Sequence, residues 1–156
     1  MTSLFSRRNA WAIALGVCAL AGSPARAAAQ TDTTAKPDTN APTTLSKVYA
    51  AEQAEKGRES YMASCVSCHK PVEVSGERFW SGLVGKTVAD FFLYLRSSMP
   101  QDNPGSLADD DYANVTAYIL QLNAMPAGER LLPSDTAVLA KIRVVPPDTT
   151  RKGPGK

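Results

Sequence analysis

Cys65, Cys68 and His69 form the run Cys-x-x-Cys-His. Two thiols three residues apart sit about one helical turn from each other. Both can bond the same flat ring, and the adjoining imidazole can reach a metal held in it. This is the attachment chemistry of a covalent haem: the thiols join the porphyrin vinyl groups and His69 becomes the proximal iron ligand. The chain has three Cys and one His. The remaining thiol, Cys18, lies in an N-terminal segment expected to be removed. The two Cys and one His left behind fall short of the roughly four ligands of a structural zinc site. A redox-active dithiol is a second use of Cys-x-x-Cys, but it expects a preceding strand. The residues before Cys65 have a helical pattern instead.

Iron with one His also needs an assignment on its other face. A thioether there makes an electron-transfer centre, whereas an open face makes a ligand-binding or catalytic one. Three Met are available once the N-terminal segment is gone: Met62, Met99 and Met125. Met62 is on the same helical segment as His69 and cannot readily reach round the ring. Met99 and Met125 are each followed by Pro. Met99 leaves the apolar end of a helix and enters the loop Pro100–Gly105, which can press a thioether onto iron. It is favoured, with Met125 the alternative and core filling the other use of either.

Three helices are needed to position these groups, with a short fourth. Ala50, Ala54, Gly57, Tyr61 and Cys65 recur on one face of a helix running from about Ser46 into the motif. Gly57 is costly there, which implies close approach by another helix. A second helix starts at Thr87, with Asp90 completing a capping box, and carries the stripe Val88, Phe91, Phe92 and Leu95. Pro100 ends it. A third repeats the device with Ser106 and Asp109 and buries Tyr112, Val115, Tyr118, Ile119 and Leu122. Residues Ser134 to Ile142 suit a short fourth. No alternating strand is evident, so the expected class is all-α. Trp80 suits either a haem edge or the core, while Arg78, Lys86 and Arg96 suit propionate partners or plain surface.

Residues 1–29 read as a signal peptide: Arg7 and Arg8, then the apolar run Ala10 to Ala21, then a small-residue cleavage region. The run is shorter than the ~20 residues of a spanning helix, so no membrane span is expected after cleavage, and the expected location is the periplasm. Residues 30–45, rich in Thr, Ala, Pro and Asp, read as a flexible leader. Residues 46–144 form the domain and 145–156 a disordered tail. The formal charge of +2 falls to −1 once Arg7, Arg8 and Arg26 leave with the signal. Nucleic acid as a partner would need a basic patch, and none is visible.

From about Lys47 to Ile142 the chain resembles class I c-type cytochromes. More narrowly, it is similar to small monohaem domains that accompany quinoprotein (PQQ-dependent) dehydrogenases. The residues that carry this are Val48–Gly57, Tyr61, Cys65-Val-Ser-Cys68-His69, Phe79-Trp80-Ser-Gly82, Met99-Pro100, Pro104-Gly105-Ser106-Leu107 and Tyr112–Asn123. The resemblance implies one haem c with its iron, thioether links at Cys65 and Cys68, His69 as proximal ligand and Met99 as distal ligand. It also implies that the first and third expected helices cross at Gly57, Tyr61 and Tyr118. The segment from His69 to Met99 is shorter than in relatives, and residue 125 is usually aromatic in them. The function implied is not enzymatic: single electrons pass from a dehydrogenase to a downstream cytochrome or oxidase. Alternatives are a haem subunit fixed in a dehydrogenase complex, or a gas- or peroxide-binding protein with Met99 off the iron.

Overall fold

A computed structural model describes residues 40–147. The signal-peptide reading, Cys18, most of the leader and all but the first residues of the tail lie outside that range. Among the described residues there are five helices: α1 (Ala51–Ser64), α2 (Glu77–Ser81), α3 (Val88–Ser98), α4 (Asp109–Leu122) and α5 (Thr136–Leu139). A 3₁₀ turn, Pro71–Val74, comes after the Cys/His motif. Among the described residues there is no strand, only isolated bridges between Thr43 and Arg143, Ala50 and Gly128, and Thr87 and Arg143. The fold is all-α, as expected.

Helix α4 is the centre of the domain, with Tyr112, Ala113 and the whole run Val115 to Leu120 buried. Helix α1 packs on it more extensively than any other pair of elements. The contact is closest at Gly57, where a Cβ would overlap the carbonyl group of Asn114 and stand 3.0 Å from Tyr118 Cβ. One turn on, the rings of Tyr61 and Tyr118 meet at 5.3 Å between centroids, tilted by 59°. The helix crossing implied by the resemblance is therefore present, and close packing accounts for the glycine. From the same helix, Gln53 grips the backbone of Leu132 with both ends of its amide, donating at 2.8 Å and accepting at 2.7 Å.

Burial divides the apolar interior in two. One cluster joins Tyr49, Val88, Phe92, Tyr112, Leu120 and Met125 to the C-terminal Leu139, Ile142 and Val144. The other is smaller: Tyr61, Phe91, Val115, Tyr118 and Ile119.

The helix boundaries differ from expectation in four places. Helix α1 begins at Ala51 rather than near Ser46, because the backbone before it is committed elsewhere. The Thr44 N–H donates to Arg143 O at 2.9 Å, Arg143 N–H to Pro42 O at 3.0 Å, and Gly128 N–H to Tyr49 O at 2.7 Å. Thr44 is fully buried, so residues 42–45, read as leader, belong to the domain. The tail boundary shifts likewise, since Val145 N–H donates to Thr44 Oγ1 at 3.2 Å. Helix α4 lacks the Ser106–Asp109 box. Its N-cap is Ala108, with no side-chain cap. Ser106 lies too early in the chain, and Asp109 Oδ1 is occupied by Arg96 Nε at 3.0 Å. The fourth expected helix is cut to the single turn α5, capped by Asp135 Oδ1 on Ala137 N–H at 2.8 Å. Helix α2 was not foreseen.

The Thr87 box on α3 is complete. Asp90 Oδ2 accepts from Thr87 N–H at 2.7 Å and from its hydroxyl at 2.8 Å, and Thr87 Oγ1 accepts from Asp90 N–H at 3.2 Å. These bonds, backbone first, hold the Asp90 carboxyl below its ordinary pKa.

Gly57→Ala is expected to cost about 1–3 kcal/mol in urea unfolding of the haem-loaded protein. Overpacking against a backbone carbonyl outweighs the roughly 1 kcal/mol gain in helix propensity. Thr87→Ala is expected to cost about 1 kcal/mol. A lowered folded-state pKa stabilises above the unfolded carboxyl value and loses that effect as pH falls through the folded value. The stability difference between wild type and Asp90→Asn is therefore expected to be full at neutral pH and to close below about pH 4, read from denaturation midpoints across that range.

Candidate functional site

The Cys/His motif is one further turn at the end of α1. Cys65 is the C-cap residue of that helix. Its N–H donates to Tyr61 O at 2.8 Å, and its own carbonyl accepts from Cys68 N–H at 3.1 Å and His69 N–H at 2.9 Å. Helical spacing thus holds through the motif and puts Cys65, Cys68 and His69 on one side of the turn. Lys70 then leaves the helix in an extended conformation. The Lys70 N–H donates to Glu73 Oε2 at 3.0 Å across the 3₁₀ turn.

Asn123, just past α4, anchors the chain beyond this turn. Its amide nitrogen donates to Val74 O at 3.0 Å and Ile119 O at 2.8 Å, and its oxygen accepts from Gly76 N–H at 3.0 Å. One buried side chain therefore ties the segment behind the motif to the end of the central helix.

Met99 arrives from another direction. It is the C-cap residue of α3, extended at φ −131° and ψ 148°, with its N–H on Leu95 O at 2.9 Å. The residue is held from α4 as well: Tyr112 donates its hydroxyl to Met99 O at 2.7 Å.

Cys65, Cys68, His69 and Met99 all border one cleft of about 740 Å³. That is within the roughly 300–1,000 Å³ usual for cofactor sites. Its apolar lining includes Phe79, Phe91, Leu95, Val115 and Ile119, and its two carboxylates are Glu73 and Asp102. Met125 is elsewhere. It is buried in the larger core cluster, with its carbonyl accepting from Tyr49 Oη at 2.6 Å. Ala124, at φ +57°, turns the chain inward just ahead of it. The geometry thus separates the two Met-Pro candidates: Met99 borders the cleft and Met125 does not. Met62 is exposed on the outside of α1.

Other expected contributors fall away from the cleft. Arg78, Lys86 and Arg96 do not border it, and Arg96 pairs with Asp109. Trp80 is half-buried and lines a separate void of about 20 Å³ beside Met125 and Val144. Tyr61 and Tyr112 were legible only as packing residues. The signal that marks them is chemical: a buried phenol needs a partner for its hydroxyl. For Tyr61 that partner is His69 O at 2.7 Å. Burial, then the nearby negative charges available at Cys65, Tyr118 and Glu73, pushes the Tyr61 pKa up to about 12, so it stays a donor.

The thiols distinguish between the two uses of Cys-x-x-Cys. Both are free, and no strand precedes them among the described residues. Cys65 closes the C-terminal end of a helix, where the dipole disfavours a thiolate, and burial pushes its pKa up. A redox dithiol needs a lowered one. The donor set instead fits a haem: two thiols one turn apart, an imidazole and a thioether, all on one apolar cleft. Among the described residues, no helix is long and apolar enough to cross a membrane.

Residues 52–119 match the family model described as cytochrome C oxidase, cbb3-type, subunit III. No curated protein and no solved structure matches the chain. The matched segment runs from the first turn of α1 into α4 and contains both the Cys/His motif and Met99. This match, with these side chains gathered on one cleft, supports a class I c-type cytochrome domain over the matched residues, a kind of domain that carries haem c and transfers electrons.

Proposed function

We propose that this cytochrome is an exported, monohaem electron carrier, with Cys65 and Cys68 as its two thioether links and His69 and Met99 as its axial ligands. The observation that carries the reading is the membership of the cleft: Met99 shares it with the Cys/His motif while Met125 lies in the core. When bound, haem c supplies a reversible one-electron couple, in which no bond of the donor or acceptor protein is made or broken. The protein's contribution is to keep the same groups in place in both oxidation states. Cys65 and Cys68 fix the attachment at the end of α1, and Phe91, Val115 and Ile119 keep water from one side of the site. A His/Met pair favours a high potential, suited to accepting electrons from a dehydrogenase and passing them to a downstream cytochrome or oxidase. The resemblance to domains that accompany quinoprotein dehydrogenases supports that class of donor. Carrying single electrons involves no substrate chemistry, so in this reading the protein acts as a carrier rather than an enzyme. The basic and apolar N-terminal pattern supports export to the periplasm.

The test is a pair of variants of the haem-loaded protein. Met99→Ala is expected to abolish the weak thioether-to-iron band at the red end of the visible spectrum, lower the midpoint potential and admit CO to the reduced form. Met125→Ala is expected to leave the spectrum intact and cost about 3 kcal/mol in unfolding, as a truncated core methionine does. Loss of the band in Met125→Ala alone would overturn the axial assignment. Rapid CO binding by the wild type would favour the open-face alternative.

A further inference from the structure

We propose that Tyr61 and Tyr112 are positioning residues for the axial pair, each holding the backbone carbonyl of one axial residue so that the α1–α4 crossing sets where both ligands stand. The inference rests on the assignment of His69 and Met99 above.

Three buried tyrosines of this domain donate to main-chain carbonyls: Tyr49 to Met125, Tyr61 to His69, and Tyr112 to Met99. Two of the three acceptors are the axial residues. His69 lies just past α1, and Met99 closes α3. Carbonyls at helix ends lack ladder partners, and here the partners come from side chains rooted one helix turn or more away. Tyr61 is on α1 and Tyr112 on α4. Those helices cannot slide past each other without moving Gly57 off the Asn114 carbonyl. A second tie acts in the same place as Tyr112. Arg96, three residues before Met99, bonds Asp109, three residues before Tyr112, at 3.0 Å. The last turn of α3 is thus strapped twice to the first turns of α4.

The two axial residues depend on these ties unequally. His69 comes directly after two covalently attached cysteines. Met99 has no covalent hold, and its thioether is a neutral ligand on the edge of a loop. The phenol of Tyr112 is therefore a main restraint on Met99, while that of Tyr61 adjusts a residue already held. Tyr49 makes the same kind of bond to a methionine outside the cleft, and so provides a control of matched chemistry.

The test uses haem-loaded Tyr49→Phe, Tyr61→Phe and Tyr112→Phe, titrated in the oxidised form with imidazole, which competes with a thioether for iron. Tyr112→Phe is expected to bind imidazole about tenfold more tightly than wild type, the factor given by one hydrogen bond of ordinary net strength. Its midpoint potential is expected to fall. Tyr61→Phe is expected to shift the midpoint with imidazole affinity near that of wild type. Tyr49→Phe is expected to lose stability and change neither reading. Equal imidazole affinity in Tyr112→Phe and Tyr49→Phe would overturn the role of Tyr112, and an unmoved midpoint in Tyr61→Phe that of Tyr61. If Tyr112→Phe does not fold, a ring-fluorinated tyrosine at 112 keeps the ring and strengthens the donor. At mildly acidic pH it is expected to weaken imidazole binding, and no change would overturn the proposal. Met99→Ala separates the two readings. If its imidazole affinity equals that of wild type, the axial assignment itself fails, whatever the tyrosine variants do.

Discussion

The approach of α1 to α4 at Gly57 is the constraint on which the rest of this domain depends. A glycine in mid-helix costs about 1 kcal/mol relative to alanine. What it permits is contact between the backbones of two helices, with no side chain between them. Helix α1 ends in the Cys/His motif, and α4 supplies Val115 and Ile119 to the cleft. Fixing the crossing therefore fixes one wall of the cleft relative to the Cys/His motif. The Tyr61–Tyr118 contact one turn on and the Asn123 anchor on Val74 and Gly76 extend the same registration to the segment behind the motif.

The division of the interior is a result of this arrangement. The larger cluster is closed by residues distant in sequence, from Tyr49 to Val144, and its polar atoms are satisfied within the protein. The smaller one has most of its members on the cleft: Tyr61, Phe91, Val115 and Ile119. Those side chains are already buried, but Cys65, Val74, Phe79 and Leu95, which pack on them and also border the cleft, are only half-buried, and a flat apolar group in the cleft would cover them. At about 25 cal/mol per Å² of apolar surface removed from water, even modest coverage there contributes several kcal/mol. Haem in such a small domain is thus part of the core as well as the redox centre.

Much of the site was legible in the sequence because its chemistry is local. Cys65, Cys68 and His69 lie within five residues, and the Thr87–Asp90 box is a contact three residues long. Gly57 also announced itself, since a helix keeps a costly residue for a reason. What was missed depends on distant partners. The Ser106 box failed because Asp109 is engaged by Arg96 from another helix. The start of α1 moved because residues 42–50 bond to Gly128 and Arg143, some eighty to a hundred positions on. Met99 and Met125 share the same dipeptide, and only the turn at Ala124, which sends the second into the core, tells them apart. Helix α2 is five residues long, too short for a periodic stripe.

The bonds joining Thr44 to Arg143 and Val145 bring the two ends of the folded unit to a single point. The chain enters and leaves through the same doorway, with a buried threonine as its latch. A domain closed in this way can be threaded into a surface loop of another protein, because the host need open only one narrow gap to receive it. It can equally hang from a tether at either end, with the same corner of the domain facing the attachment.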